Sequence, residues 1–170
     1  EAGLNPAINS VASLFISRWD AAVIDDVSPD LRAKLGIAVG KQAYAAYREL
    51  IASDRVQILA NQGGRIQRLL MASTGTKDPD ASDVLYVRAL AAPFTINTMP
   101  EATLKALADH GEIKQTLAVH ARYCDATLAR FAEAGLDLDG LAVQLLREGT
   151  EAFDKSWREL LASIASKSKN

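Results

Sequence analysis

Three short apolar segments, each followed by a stretch with helical spacing, constrain the fold of this chain most strongly. The first is "SVASLFIS" at residues 10–17, the second ends near Ser73, and the third is "FTINTMP" at residues 94–100. Short apolar runs bounded by glycine, proline or polar turns are typical of buried parallel strands. Parallel strands need long crossover connections, so the alternating order of strands and helices predicts an α/β fold.

The helices between these strands are predicted from their boundary residues. Ser28 followed by a proline is typical of an N-cap and first helical position, and apolar spacing then predicts a helix over residues 28–53. "VLYVRALA" at residues 84–91 predicts a short helix after the second strand. Pro100 opens a further helix, which Gly111 closes.

An all-helical end is predicted to follow the strands. We divide the chain into the last β/α units at residues 1–115, C-terminal helices at 116–165 and a frayed tail at 166–170. The C-terminal part carries an apolar stripe that Gly149 can interrupt. Its residues are Leu138, Leu141, Leu145, Phe153, Trp157, Leu160, Leu161 and Ile164. This stripe is expected to pack on the α/β body; a partner-binding groove or oligomer contact is the alternative.

Composition limits the classes of partner. The chain has 170 residues, of which 49% are hydrophobic and 24% charged, which is typical of one globular domain with a sizeable core. Its net charge of -2 argues against nucleic-acid and membrane-surface binding and favours a small soluble ligand. No apolar run is long enough to span a bilayer. Cys124, the single cysteine, is expected to be a buried structural thiol. A cytoplasmic location is therefore expected.

Ligands of parallel α/β proteins bind at the carboxyl ends of the strands. On the first strand, Ser13, Phe15 and Ser17 are predicted to share one face, and Arg18 follows directly. A guanidinium group there can bind a phosphate with two hydrogen bonds. The alternative for Arg18 is an ion pair with Asp20 or another acid.

The second strand ends in "ASTGTK", which resembles a phosphate-binding turn in its residue types. Ser73, Thr74 and Thr76 supply hydroxyl groups, Gly75 permits a close backbone approach, and Lys77 supplies a positive charge. The spacing is not that of a Walker loop. An ordinary polar turn explains the segment equally well.

At the end of the third strand, Asn97 and Thr98 can contact a ligand or cap the helix that starts near Pro100. Of the two interpretations, we favour capping.

Other chemistry-bearing residues give weak signals. His110 and His120 lack the neighbouring cysteines or carboxylates of a metal site, so no metal is expected. The acidic pairs within residues 25–26 and 137–139 are interpreted as turn or helix-start acids.

In their order and spacing, five segments resemble the C-terminal part of a bacterial transaldolase. They are "SVASLFISRWD", "ASTGTKDP", "VLYVRAL", "TINTMPEATLKALADHG" and "GLDLDGLAVQLLREGTEAFDKSWRELL". The most similar branch includes stand-alone actinobacterial enzymes and transaldolases fused to glucose-6-phosphate isomerase. "NTMPEATL" and "ASTGTK" together are fairly specific for this family.

The resemblance implies a (β/α)8 TIM barrel of the class I aldolase group, of which this chain would hold strands 6 to 8 and extra C-terminal helices. The family transfers a dihydroxyacetone unit from a ketose phosphate to an aldose phosphate in the pentose phosphate pathway, without metal or organic cofactor. A lysine on the fourth strand forms a Schiff base with the ketose. An aspartate on the first strand and a glutamate on the third serve proton transfer, and none of these three strands is expected here.

Substrate-binding roles follow from the same resemblance. Ser13 matches a pocket serine of the sixth strand, Phe15 the aromatic residue beside it, and Arg18 the arginine that binds the substrate phosphate. Ser73 matches a pocket serine of the seventh strand. Lys77 lies in a loop where some members place a second phosphate-binding arginine. It is not expected to be the nucleophile, because its polar loop should keep it protonated.

The resemblance also implies that the chain holds about half of such a barrel. It would supply the sugar-phosphate side of the site, contain no catalytic residue and be inactive alone, with a missing N-terminal half or a partner chain completing the barrel. The start at Glu1 rather than Met leads us to expect a processed or truncated product. The alternative is a non-catalytic, self-associating module, derived from a truncated barrel, that binds phosphosugars or anions.

Overall fold

The computed structural model describes residues 3–118 and 124–168. The chain forms two compact units, of which the first ends at Ala134 and the second begins at Gly135. Within the described residues, the first unit holds every β-strand and the second holds one long helix.

Strands and helices alternate through the first unit in the predicted order. The elements are β1 Val11–Phe15, α1 Ile16–Val23, α2 Leu35–Ala52, α3 Asp54–Asn61, β2 Arg68–Ala72, α4 Leu85–Ala89, β3 Thr95–Asn97, α5 Glu101–His110, α6 Cys124–Glu133 and, in the second unit, α7 Leu138–Lys167. Neither α1 nor α3 is predicted from the sequence.

The three strands form one parallel sheet in the order β1–β2–β3. The pairing of β1 with β2 extends from Val11 and Arg68 to Phe15 and Ala72. β2 pairs with β3 in the same direction. Parallel pairing joined by helices confirms the predicted α/β class.

One face of the sheet, here called the covered face, packs against helices. Leu69 is 8% exposed and Met71 is fully buried, and both belong to the main hydrophobic core. The other members of this core are Ile16 of α1, Tyr44 of α2, Tyr86 of α4 and Leu90, which directly follows α4. Burying a large apolar side chain contributes about 1.5–3 kcal/mol, so this layer holds the sheet and its helices together.

The opposite face, here called the open face, is apolar but incompletely buried. Successive side chains of a strand point to opposite faces, so Ser13 of β1 shares this face with its in-register partner Leu70 and, through it, with Ile96. Val11 on the same face is 42% exposed, Ser13 is exposed, and Leu70 and Ile96 are half-buried. The described residues therefore complete the packing of only one side of the sheet.

Helix α1 starts within the segment predicted as the first strand. The strand ends at Phe15 rather than at residue 17, and Ile16 and Ser17 are already helical. Ile16, Asp20 and Val23 are buried at the spacing of one helical face, and this packing outweighs the β-forming character of the segment.

Helix α2 begins at Leu35, so the prediction of a start at Ser28 is wrong. Ala33 has a positive φ of 58° and interrupts a helix at that point. The carboxylate of Asp20 accepts hydrogen bonds from the backbone N–H groups of Leu35 and Gly36, at 2.8 and 3.1 Å, and so fixes the new start. A Cβ atom on Gly36 would lie 2.5 Å from a backbone oxygen of α1, which makes glycine necessary for this close packing. The predicted end near Ser53 is confirmed.

Helix α7 runs without interruption past Gly149 to Lys167, so it extends into the segment predicted as a frayed tail. Asp137 caps it by accepting a hydrogen bond from the backbone N–H of Gly140 at 3.0 Å, which confirms the interpretation as a helix-start acid. The later residues of its apolar stripe are exposed, with Trp157 at 59%, whereas Leu138, Leu141 and Leu145 are half-buried. The expected packing of this stripe stays a prediction, and Asn170 lies outside the described residues.

Candidate substrate-binding site

Two serines join the carboxyl ends of β1 and β2. The backbone N–H of Ser17 donates to the carbonyl oxygen of Ser73 at 3.1 Å, and their hydroxyl oxygens are 2.9 Å apart. Ser17 is buried in the first turn of α1, whereas Ser73 is half-buried. Ser73 has a positive φ of 55°, so its contacts hold a backbone conformation that serine adopts infrequently. The prediction that Ser17 shares a strand face with Ser13 and Phe15 is wrong, because Ser17 is helical.

Arg18 lies beside these serines in α1 and stacks on an aromatic ring. The central guanidinium carbon of Arg18 is 4.6 Å from the ring centroid of Phe15. Both side chains are half-buried. Within residues 3–118 and 124–168, Arg18 forms no ion pair. Its planar donor group is therefore held in place by stacking and is available to an anion.

Asp20, which was the alternative partner of Arg18, is engaged elsewhere. Besides capping α2, its carboxylate accepts a hydrogen bond from the hydroxyl of Tyr86 at 2.8 Å. Burial raises the pKa of Asp20 above 3.8, against the opposing effect of its three hydrogen-bond donors. Burial and the neighbouring carboxylate also raise the pKa of Tyr86. The sequence does not predict that Asp20 caps α2. The only signal for its burial is its helical spacing with Ile16 and Val23.

Thr74 connects the ends of β2 and β3. Its side chain is fully buried, and its hydroxyl group donates to the side-chain oxygen of Asn97 at 2.7 Å and lies 3.0 Å from the carbonyl oxygen of Thr98. The role of Thr74 in substrate binding stays a prediction. The prediction that Asn97 or Thr98 caps α5 is wrong, because Pro100 occupies the cap position and the described residues show no side-chain capping bond there.

The rest of the "ASTGTK" segment is partly explained by packing. A Cβ atom on Gly75 would lie 2.7 Å from the ring of Pro100, so the close approach is to the start of α5. Thr76 donates its hydroxyl to the carbonyl oxygen of Ser82 at 2.7 Å. Lys77 is exposed and forms no ion pair with any described residue. Of the predicted residues, Lys77 has the weakest structural support.

Ser13 and Phe15 occupy the open face of β1, two residues apart. Phe15 is the last residue of the strand and contacts Arg18, whereas Ser13 is the middle residue. Phe15, Arg18 and Ser73 thus lie at the carboxyl ends of β1 and β2, with Ser13 on the open face, and their roles in substrate binding stay predictions.

Histidine and cysteine residues form no second reactive centre in the part of the chain that the structure describes. The two ring nitrogens of His110 contact carboxylates of Asp83 and Asp109 at 3.0 and 3.2 Å, and these contacts raise the pKa of the imidazole. His120 lies outside the described residues. Cys124 is buried, as predicted, and burial raises the pKa of its thiol. No group of three metal-binding side chains occurs among the described residues.

Comparison with known proteins decides the family. The model of the transaldolase/fructose-6-phosphate aldolase family matches residues 1–164. This chain belongs to that family. The resemblance predicted from the strand ends and the closing helix is therefore confirmed.

Curated relatives give the same result. The chain is 48% identical over 162 residues to a transaldolase of Mycolicibacterium smegmatis, an alignment that covers 91% of this chain and 44% of the relative. It is 47% identical over 163 residues to a transaldolase of Saccharopolyspora erythraea, with 92% and 44% covered. A transaldolase of Frankia alni is 43% identical over 164 residues. The chain thus spans less than half the length of these relatives. Of the helices that the structure describes, none has the length and apolar composition needed to cross a membrane.

Proposed function

We propose that this chain is the C-terminal, substrate-phosphate part of a transaldolase. Its strands would be the sixth, seventh and eighth of a (β/α)8 barrel, and its helices from α6 onward the extra C-terminal helices. The complete enzyme would transfer a dihydroxyacetone unit from a ketose phosphate to an aldose phosphate in the pentose phosphate pathway of the cytoplasm. Family membership supports the reaction class, and the share of each relative that is covered supports the partial barrel.

The open face of the sheet supports completion by further strands. It carries partly exposed apolar side chains, and among the described strands β1 and β3 each pair with one neighbour. Exposed sheet edges and apolar faces favour association with another strand or chain. A missing N-terminal half or a partner chain would cover this face and enclose Ser13 and Phe15.

The proposal that this chain binds the substrate phosphate rests on Arg18. Its guanidinium group stacks on Phe15 and has no acidic partner in the described residues. Arg18 also follows directly after Ser17, whose hydroxyl group contacts that of Ser73. A positioned arginine can bind two phosphate oxygens at once, and nearby hydroxyl groups can accept or donate further hydrogen bonds. Lys77 would add a point charge at the rim.

The Schiff-base lysine would come from outside this chain. A nucleophilic lysine needs a lowered pKa, which desolvation or a neighbouring cation provides. Lys77 is exposed to water, so burial does not supply this desolvation. The protonated imine would withdraw electrons from the breaking carbon–carbon bond, while this chain holds the phosphate end of the sugar.

Borohydride trapping tests this proposal. The purified chain and any protein that co-purifies with it are incubated with fructose 6-phosphate and reduced, and intact masses are measured. A trapped dihydroxyacetone unit adds about 74 Da to the protein that carries the lysine. We expect the adduct on a co-purifying polypeptide. An adduct on Lys77 would reverse the proposed roles, and no adduct in any preparation would favour the non-catalytic anion-binding module.

The phosphate role is tested separately by titrating fructose 6-phosphate and unphosphorylated fructose into the same preparation. Arg18→Ala should weaken binding of the phosphorylated sugar about tenfold or more, because a charge-assisted contact is lost. Arg88→Ala, an exposed arginine of α4, serves as the matched control. Equal effects of the two substitutions would contradict the role of Arg18.

A further inference from the structure

A cleft of about 620 Å³ lies at the amino ends of the strands. Asn9, which precedes β1, Arg68, which begins β2, and Phe94, which precedes β3, all line it. The candidate substrate site lies at the opposite, carboxyl ends. At about 3.3 Å per residue, the five residues of β2 separate the two sites by roughly 15 Å. The cleft has the size of an ordinary small-molecule pocket.

The cleft is lined by three arginines and, among the described residues, by no acidic side chain. The arginines are Arg48 from α2, Arg65 from the segment before β2, and Arg68. None of them forms an ion pair with a described residue. Three like charges in one cleft repel each other, and a bound anion relieves that repulsion.

Arg48 is held in place but keeps an unused donor. Its guanidinium carbon lies 5.0 Å from the ring centroid of Phe94, and one terminal nitrogen donates to the hydroxyl of Tyr44 at 3.2 Å. Its Nε atom is buried and has no hydrogen-bond partner among the described residues. A buried donor without a partner costs free energy, which a ligand acceptor or water would recover.

The two aromatic residues of the cleft, Tyr47 and Phe94, are joined by a hydrogen bond. The hydroxyl of Tyr47 donates to the carbonyl oxygen of Phe94 at 3.2 Å, and Phe94 has a positive φ of 63°. Burial raises the pKa of Tyr47, whereas a backbone hydrogen bond at Leu69 and the charges of Arg48 and Arg68 lower it. The structure therefore presents a preformed wall with positive groups around it.

We propose that this arginine cleft binds a compact polyanion with more than one phosphate group, at a site separate from the candidate substrate site. Guanidinium groups match phosphate oxygens in geometry as well as in charge. Three of them exceed what a single phosphate monoester needs, which favours a diphosphate or bisphosphate.

Calorimetric titration with inorganic pyrophosphate at low ionic strength tests the site. The full 170-residue chain is used with the substitution Arg18→Ala, so that the candidate substrate site does not contribute. Arg65→Ala and Arg68→Ala each remove one exposed guanidinium group and should each weaken pyrophosphate binding about tenfold. Arg88→Ala, exposed but outside the cleft, should change the affinity less than about twofold.

Two further measurements complete the test. Inorganic phosphate should bind more weakly than pyrophosphate, since it can engage fewer guanidinium groups. Arg48→Lys keeps the charge but loses the planar donor group and should also weaken binding; circular dichroism checks that this half-buried substitution preserves the fold. Absence of pyrophosphate binding to the Arg18→Ala chain, or affinities unchanged by both Arg65→Ala and Arg68→Ala, would overturn the proposal and leave the proposed transaldolase role untouched.

Discussion

The two faces of strand β2 differ in how deeply their side chains are buried, although successive residues of this five-residue strand point alternately to one face and the other. Met71 on the covered face is fully buried in the core, while Leu70 beside it on the open face is half-buried. Both side chains are large and apolar, so the difference lies in what packs against them. The covered face packs against helices of the first unit, whereas the open face leaves Leu70 partly accessible among the described residues.

This difference also separates structural from ligand-binding chemistry. The polar groups behind the covered face are engaged: the Asp20 carboxylate accepts three hydrogen bonds and holds α2 in place. On the open face, Ser13 is exposed and Phe15 supports the guanidinium group of Arg18. The face that lacks a cover is thus the face that carries the candidate site, as expected if it lines the interior of a barrel.

The largest expected effect comes from truncating neighbouring side chains on the two faces. Met71→Ala should lower the free energy of unfolding by about 2–5 kcal/mol, because it leaves a cavity in the core. Leu70→Ala should cost about 1 kcal/mol or less, since part of that side chain is already in water. Urea denaturation of both variants measures the difference.

A completed barrel would raise the cost in stability of Leu70→Ala. If a partner or a missing half covers the open face, the cost of Leu70→Ala should approach that of Met71→Ala in the complex. Equal costs in the isolated chain would refute the distinction between the faces.

Asp20 should give the next largest effect. Asp20→Asn should destabilise the chain by about 1–3 kcal/mol at neutral pH, because an amide nitrogen cannot accept the hydrogen bonds that the carboxylate accepts. Since burial raises its pKa in the folded state, the stability that Asp20 contributes is fully present below pH 3.8 and declines as pH rises through the raised pKa.

The stability difference between wild type and Asp20→Asn should therefore narrow with rising pH. Denaturation curves between pH 3 and 7 measure it, and Asp25→Asn, in the exposed turn after α1, is the control. A difference that widened with pH would show that the carboxylate's pKa is lowered instead.

The sequence predicted the alternation of elements and three strand ends because those signals are local. Apolar runs, Pro100 and the short 84–91 helix can be recognised within a few residues. The start of α2 could not be predicted in this way, because its cap is Asp20, fifteen positions before Leu35 in sequence. Ser28 has the sequence of a cap, yet its hydroxyl donates to Asp30 two residues later.

The candidate site likewise contains residues that the local sequence predicts and residues whose contacts only tertiary packing explains. Residue type and position at a strand end predict an anion-binding role for Arg18, whereas the pocket role of Phe15 follows from the family resemblance. Thr74 and Gly75 looked equally suited to a ligand, but their contacts with β3 and Pro100 depend on how distant segments meet. Sequence alone locates the candidate site at the carboxyl ends of the strands, and tertiary packing decides which side chains there remain available.

A smaller effect is expected from the two serines of the first strand segment. Ser17→Ala removes the hydroxyl contact with Ser73 and should cost about 1 kcal/mol, because Ser17 is buried. Ser13→Ala on the exposed open face should change stability by less than about 0.5 kcal/mol. Thermal denaturation of the two variants compares them. A larger cost for Ser13→Ala would mean that the open face is already covered in solution.

The smallest effect on stability is expected from His110, which lies in α5 and on neither face of the sheet. Its contact with Asp83, followed by that with Asp109, raises its pKa above 6.5, so any stabilising contribution is present below pH 6.5 and is lost as pH rises through the raised value. The group is exposed, so this contribution should be barely measurable by denaturation. NMR titration of the imidazole, assigned with His110→Gln, measures the pKa directly. Asp83→Asn should return it toward 6.5 more than Asp109→Asn does, whereas an unchanged value in Asp83→Asn would show that this ion pair does not persist in solution.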